Sequence, residues 1–441
     1  MQPPLDVLNR IAIYGLNGYY YSISAMICRV SLSRYFHGPI PIGQGEPMKK
    51  ILSVMLIACI SIFLALFYAT AGGAATAGLT YASQFEGGKL YTAGKIKVLE
   101  LTGNYRQMGR QYGALAKEDL NAIHRTIGDV FVTKRKMPAA HLDTIARAVF
   151  DRYPARYKEI IRGMAETSGL DMKAVMLVNA LEWFPKIDRL SYERCSGIGV
   201  WGPYTGKGPV VFGRNNDDDP VYFDFARMVV AVFKPNDGSI PTALINYAGV
   251  IYNATGMNGE GLFTELNAGP WLGFSLDRIS IFTTLFSYLQ DYRNLEEFDR
   301  AMLSTLVDLS TIVNAADTTR AYSYESTLWD TKRRNEDAEG IVAAANAFSL
   351  PGWNISPIDP NKGDTSPTRK GNLLKLAAKH KGSITPAVMM NILDHTMANG
   401  GATHAGTIYQ VVAVPKDLKI WLKVPGKIDW TEVPLRSVFG K

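Results

Sequence analysis

Cysteine is scarce. The 441-residue chain holds three, Cys28, Cys59 and Cys195. The first two fall in an N-terminal stretch that reads apart from the folded body, so the body has one thiol and no internal disulfide to form. Histidine is scarce too. The six histidines show no ligand spacing, which argues against a metal enzyme. No Lys/Arg-rich block and no nucleic-acid motif accompany the net charge of +7, so no nucleic-acid partner is expected. Internal repeats and long low-complexity linkers are absent. What is present is ordinary: 47% apolar and 20% charged residues, with length for one large domain or two to three smaller ones around a sizeable core.

Residues 1–47 show little periodicity. Met48-Lys49-Lys50 precedes an apolar run from Ile51 to Ala69, then small residues from Gly72 to Ala77. A basic start, an apolar middle and a small-residue zone follow the order of a secretory signal. Residues 48–77 are therefore expected to direct export, to a periplasm or outside the cell, with Met48 as the physiological start and 1–47 as non-physiological or disordered upstream sequence. The same run suits a membrane anchor over residues 51–69, since about 20 apolar residues span a bilayer. Leu56-Ile57-Ala58-Cys59 resembles a lipoprotein box, but the apolar run continues past the cysteine.

In the body, Lys95 to Leu101 alternates like a strand with one buried face. Asn104 to Leu120, Arg152 to Thr167 and Asp171 to Phe184 read as helices, with Asp171 as an N-cap. Gly109 and Gly113 lie one turn apart and permit a close helix approach. Residues 85–194 are thus expected to form a mostly helical N-terminal segment. From Cys195 to residue 441 the pattern changes. Ala226–Phe233, Thr242–Tyr247, Gly261–Leu266, Ile341–Phe348, Thr407–Val414 and Leu418–Val424 suit strands. Phe282–Leu303, Gly371–His380 and Thr385–His395 suit helices. The order implies an α+β fold, in layers around antiparallel sheet.

Cys195 opens a β-prone run to Trp201. The Gly/Pro-rich turn 202–208 follows, and then a second run from Pro209. Antiparallel partners keep a constant sum, here about 410, so Cys195 should pair near residue ~215. The hairpin alone then brings the thiol beside Arg214, Asn216 and Asp217. A guanidinium near a thiol favours the reactive thiolate. The plainer alternative is a small buried hydrophobe beside a polar turn. Asp217-Asp218-Asp219 lacks the regular oxygen spacing of a Ca²⁺ loop. A papain-like arrangement would need a histidine on Cys195, with His395 or His404 available by chain order, but the hairpin setting differs from the helix N-terminus such enzymes use.

Cys195 with Gly213-Arg214-Asn215-Asn216-Asp217 resembles the start of the catalytic chain in choloylglycine hydrolases and penicillin V acylases, which are N-terminal-nucleophile (Ntn) hydrolases. Gly256-Met257-Asn258-Gly259-Glu260-Gly261-Leu262, leading to Asn267, is similar to the family's Asn-ending strand. Ala345-Asn346-Ala347-Phe348 and Asp364-Thr365-Ser366-Pro367-Thr368-Arg369 resemble later segments, in the same order. The helical lead-in with Gly103, Gly109 and Gly113 is similar to the related acyl-CoA:aminopenicillanate acyltransferase branch. The resemblance implies a four-layer αββα sandwich, self-cleavage between Arg194 and Cys195, and no cofactor or metal. Ser196 stands where the family often has Thr, and Arg194 precedes the thiol without a Gly-containing junction.

By the same resemblance, Cys195 is nucleophile and, through its freed amine, general base. An α-amine with a reference pKa near 8 can take a thiol proton near neutral pH. Arg214 and Asp217 would hold amine and thiolate, Asn267 would donate to the oxyanion, Asn346 would orient the amine or complete that hole, and Arg369 would close the network. The implied activity is cleavage of a linear amide in a small N-acyl compound through a thioester. Bile-salt conjugates, penicillin V and N-acyl homoserine lactones are the substrate classes, and a homo-oligomer is compatible. An acyltransferase differs only in what resolves the thioester. The competing non-enzymatic reading is an exported binding protein with an inert Cys195. Trp201, Tyr204, Tyr252, Phe263 and Trp271 are the candidate wall residues for an acyl group.

Overall fold

The computed structural model describes residues 78–184, 195–275, 277–355 and 365–441, all within one compact unit. The segment 48–77 read as signal or anchor, Arg194, and Asp364 lie outside the described residues. Among the described residues no helix is long and apolar enough to cross a membrane.

Two sheets form the centre. The first has ten strands in the order β1 (Thr80–Phe85), β2 (Gly88–Ala93), β3 (Ile96–Gly103), β6 (Met228–Pro235), β7 (Thr242–Tyr247), β8 (Thr255–Asn258), β9 (Phe263–Ala268), β10 (Thr311–Ala316), β11 (Ala321–Ser326) and β12 (Thr331–Arg334). Every pairing is antiparallel except β3 with β6. The second sheet is wholly antiparallel: β13 (Ile341–Ala344), β4 (Ser196–Val200), β5 (Val211–Asp217), β14 (Thr407–Val414), β15 (Lys419–Val424) and β16 (Ile428–Pro434). The sheets face each other, with the Phe212 and Phe263 rings 5.2 Å apart between them.

Helices cover both outer faces. On the first sheet lie α1 (Tyr105–Leu115) and α6 (Ile281–Asp291), with α2 (Lys117–Ile127), α3 (Ala139–Asp151), α4 (Ala155–Thr167) and α5 (Met172–Val178) stacked beyond α1. On the second lie α8 (Ser366–Lys379) and α9 (Pro386–Asp394). Alternation along β4 explains how this layering is made. Ile198 and Val200 turn outward into a cluster with Leu373, Met389 and Leu393 of α8 and α9. Gly197 and Gly199 turn inward, where a Cβ on Gly197 would stand 2.3 Å from the Glu265 carboxylate of the facing sheet. Glycine at 197 lets the two sheets close on Glu265. The expected four-layer αββα arrangement is the one observed.

The close approach expected of Gly109 is real. Its Cβ would lie 2.1 Å from the Ile160 carbonyl, so α1 and α4 touch backbone to backbone. Asn104 starts α1 with a capping box closed by Gln107. Two long helical readings divide. Asn104–Leu120 breaks at Ala116, between α1 and α2. Phe282–Leu303 breaks before Asn294, whose side chain caps α7 (Leu295–Leu303) by accepting from the Glu297 N–H. The segment 85–194 carries the helices α1 to α5 and also the strands β2 and β3, of which the sequence pattern predicts only the second. Through β3 and β6 it shares a sheet with the chain after Cys195.

Candidate active site

The β4–β5 hairpin has the register its sequence predicted, within one position. Ser196 pairs with Asn215 and Gly197 with Arg214, and the turn uses Gly202 and Gly206 at φ 51° and 60°. Cys195 stands at the head of β4, buried. Its Sγ lies 3.5 Å from the Asp217 carbonyl, 3.8 Å from an Arg214 Nη2 donor and 4.0 Å from Asn216 Oδ1. Arg214 also donates to Asn216 Oδ1 at 2.6 Å and to the Leu266 carbonyl at 2.8 Å.

Arg214 is paired with Glu265 of β9, both fully buried. The sequence reading did not include Glu265. Burial works against the Arg214 charge, but Glu265, then Tyr409 and Cys195, outweigh it and hold the guanidinium above its usual range. Burial pushes the Glu265 carboxyl up, opposed by Arg214, Asn314 and Asn267. Asn314 Nδ2 and Asn267 Nδ2 both donate to Glu265 Oε1. Asn267, expected at the oxyanion, is thus joined to the site through Glu265. One Nδ2 hydrogen goes to that carboxylate, and Oδ1 has no hydrogen bond among the described residues.

Arg369, on the first turn of α8, reaches the opposite side of Cys195. It donates to the Cys195 carbonyl at 2.8 Å, to Asn346 Oδ1 at 2.8 Å, to Ser366 Oγ at 3.3 Å and to Thr365 Oγ1 at 3.0 Å. Asn346 in turn donates to the Ala268 carbonyl at the end of β9, 2.8 Å away. Asp217 Oδ2 lies 3.6 Å from Arg369 Nη1 and accepts no hydrogen bond among the described residues, while Oδ1 accepts from Thr407 Oγ1 at 2.6 Å. Cys195, Arg214, Asp217, Asn346 and Arg369 therefore form one connected buried network, and Asn267 meets it at Glu265.

A cavity of about 10 Å³, room for about one water, touches Cys195 and is closed by Glu182, Asp218, Ala254, Leu266 and Phe282 among others. Of the five proposed wall residues, Phe263 packs between the sheets, Tyr204 belongs to the cluster beneath α8 and α9, and Tyr252 sits behind Phe282 with rings 5.2 Å apart. Trp201 is half-buried and Trp271 is 50% exposed. The missed residues gave only weak signals: Glu265 is an acidic residue inside an otherwise strand-like run, and Glu182 and Asp218 sit in segments read for helix and turn.

Neither histidine available by chain order partners the thiol. His395 caps the end of α9, with Nδ1 2.7 Å from the Asn391 carbonyl. His404 stands against Asp217, Nε2 to Oδ2 3.5 Å. A papain-like pair is excluded by this placement. Asp219 holds Arg135 at 2.6 Å and the Val221 N–H at 3.0 Å, so the three consecutive aspartates diverge. Among the described residues no His, Cys, Asp or Glu group converges as a metal site.

No family model matches the sequence, and no curated protein matches it. Solved structures do. The Caenorhabditis elegans N-acylethanolamine-hydrolyzing acid amidase ortholog is 15% identical, over 50% of this chain and 93% of that chain, with a TM-score of 0.39. A mutant of the conjugated bile acid hydrolase from Clostridium perfringens is 13% identical over 55% and 93%, with the same TM-score. Penicillin V acylase from Agrobacterium tumefaciens is 11% identical over 55% and 86%, with a TM-score of 0.37.

Proposed function

We propose that this chain is an N-terminal-cysteine amidohydrolase that cleaves the linear amide of a small N-acyl compound through a thioester on Cys195. The carrying observation is that one buried cysteine has both of its reacting neighbourhoods prepared. Its Sγ is within reach of the Arg214 guanidinium, and its carbonyl is clamped by Arg369. Asp217 Oδ2, buried and without a hydrogen bond, is an acceptor of the kind that a freed α-ammonium at residue 195 needs. Cleavage of the Arg194–Cys195 bond would supply that amine, which then takes the thiol proton. The thiolate adds to the amide carbonyl, the amine's proton passes to the leaving nitrogen, and water resolves the thioester.

The ladder between β3 and β6 gives a reason why cleavage would not separate the pieces, since the first sheet is built from both sides of that bond. Bile-salt conjugates, penicillin V and N-acyl homoserine lactones remain the substrate classes to try. Export, by the basic, apolar and small-residue order of residues 48–77, belongs to the same proposal, and N-terminal sequencing of the natural protein tests it. The chemical test is incubation with an amide panel under single-turnover conditions. The expected result is amine release and an acyl group, by mass, on the peptide beginning at Cys195. Turnover that persists at the wild-type rate in Cys195→Ala would sink the proposal. Transfer of the acyl group to an added amine in preference to water would move it to the acyltransferase form.

A further inference from the structure

The turn that enters β14 holds one carboxylate oxygen of Asp217 and faces the other. Thr407 Oγ1 donates to Oδ1 at 2.6 Å. His404, three residues earlier, brings Nε2 to 3.5 Å from Oδ2. The turn is closed on itself, with the His404 N–H on Thr407 Oγ1 at 3.1 Å and the Thr407 N–H on the His404 carbonyl at 3.0 Å. It is also pinned to β5, because the Asp218 N–H donates to the Gly406 carbonyl at 2.9 Å. Glycine at 406 makes this approach possible. A Cβ there would stand 2.4 Å from the Asp218 carbonyl and 3.0 Å from the His404 ring.

The ring's hydrogen has a definite place. The Gly406 N–H donates to His404 Nδ1 at 3.0 Å. A backbone N–H can only donate, so Nδ1 accepts and the ring hydrogen sits on Nε2. That hydrogen faces Asp217 Oδ2. Both atoms are buried and neither makes a hydrogen bond among the described residues. A buried donor and a buried acceptor left unmade are each costly, and a shift of about half an ångström joins them. The other charged group facing Oδ2 is Arg369, at 3.6 Å.

We propose that His404 is a positioning residue, which aims the Asp217 carboxylate at the nucleophile end of β4 through its Nε2–H. The inference rests on the amidohydrolase reading above. It assigns His404 no contact with Sγ and no proton transfer. With His404 and Thr407 on its two oxygens, Asp217 keeps one orientation as charge moves between thiol, amine and substrate. Without His404, Thr407 still holds Oδ1 and Oδ2 faces Arg369 with no opposing donor.

The test compares wild type, His404→Ala, His404→Gln, Gly406→Ala and Cys195→Ala, with kcat, KM and melting temperature for each. Gln places an N–H near the Nε2 position. The expected result is a kcat about tenfold lower in His404→Ala and Gly406→Ala, as for loss of one hydrogen bond to a charged group. KM should change less than about twofold, the melting temperature of His404→Ala should be unchanged, and His404→Gln should recover to within about threefold of wild type. A His404→Ala enzyme as fast as wild type overturns the inference, and so does a His404→Gln enzyme as slow as His404→Ala. Failure of the amidohydrolase reading looks different: wild type and Cys195→Ala are then equal on every substrate.

Discussion

The two buried arginines beside Cys195 are held in opposite ways. Arg214 lies inside a sheet and is tied to a carboxylate buried with it, Glu265. Its charge is compensated whatever the state of the thiol. Arg369 sits on the first turn of a helix and donates to uncharged acceptors, among them the Cys195 carbonyl and Asn346 Oδ1, with Asp217 at 3.6 Å. A compensated charge in the sheet interior governs whether the sandwich closes. A forked donor on the nucleophile's own backbone governs where the nucleophile stands. Loss on the Arg214 side should therefore register in stability as well as in rate, and loss on the Arg369 side mainly in rate.

The largest effect should come from Glu265→Ala, which leaves a fully buried guanidinium uncompensated. Denaturant unfolding should show a loss of about 3–5 kcal/mol. Replacing both partners, Arg214→Met with Glu265→Leu, should return most of that stability and none of the turnover. A double variant as unstable as the single one breaks the comparison. Next is Arg369→Lys. A single ammonium cannot reproduce the fork that spans the Cys195 carbonyl and Asn346. We expect kcat to fall about 10²-fold, or about 2.7 kcal/mol of barrier, with a stability loss of less than about 1.5 kcal/mol, within the range of one hydrogen bond. Equal losses of stability in Arg369→Lys and Glu265→Ala would erase the distinction.

Asp308 supplies a buried carboxyl for scale. It accepts from the Ile281 N–H at 2.9 Å, at the start of α6, and burial pushes its pKa up to about 7. A folded pKa above the unfolded one means that the folded state binds the extra proton between about pH 4 and 7. Stability from this group is complete below about pH 4 and is lost as pH rises through about 7, at about 1.4 kcal/mol per pH unit. Asp308→Asn should flatten that slope in melting curves taken from pH 4 to 8. A slope unchanged in the variant would show that Asp308 carries no such proton.

What could be read in the sequence was local. The hairpin register came out within one position because only a short turn separates the runs that carry Cys195 and Arg214, and the helices α8 and α9 were legible in pattern, although α8 starts at Ser366 and not at the expected Gly371. The missed elements include α3, β10 and β11. The strands β10 and β11 carry Asn314 and Glu325 and are buried only because a second sheet and helices close over them. Glu265 acquires meaning from Arg214, 51 residues earlier in the chain, and no local pattern links the two. His404 was noticed as a histidine following a cysteine, but it stands against Asp217, because Gly406 folds its turn back onto β5. Side chains that act across the gap between two sheets are the ones that periodicity does not reveal.

The most direct measurement is the intact mass of the purified protein beside that of Cys195→Ala. The account predicts two polypeptides parting between Arg194 and Cys195, still associated under native conditions through the first sheet, and a single uncut chain in the variant. A single chain in both, with turnover on an amide, would contradict it by removing the free amine from the chemistry.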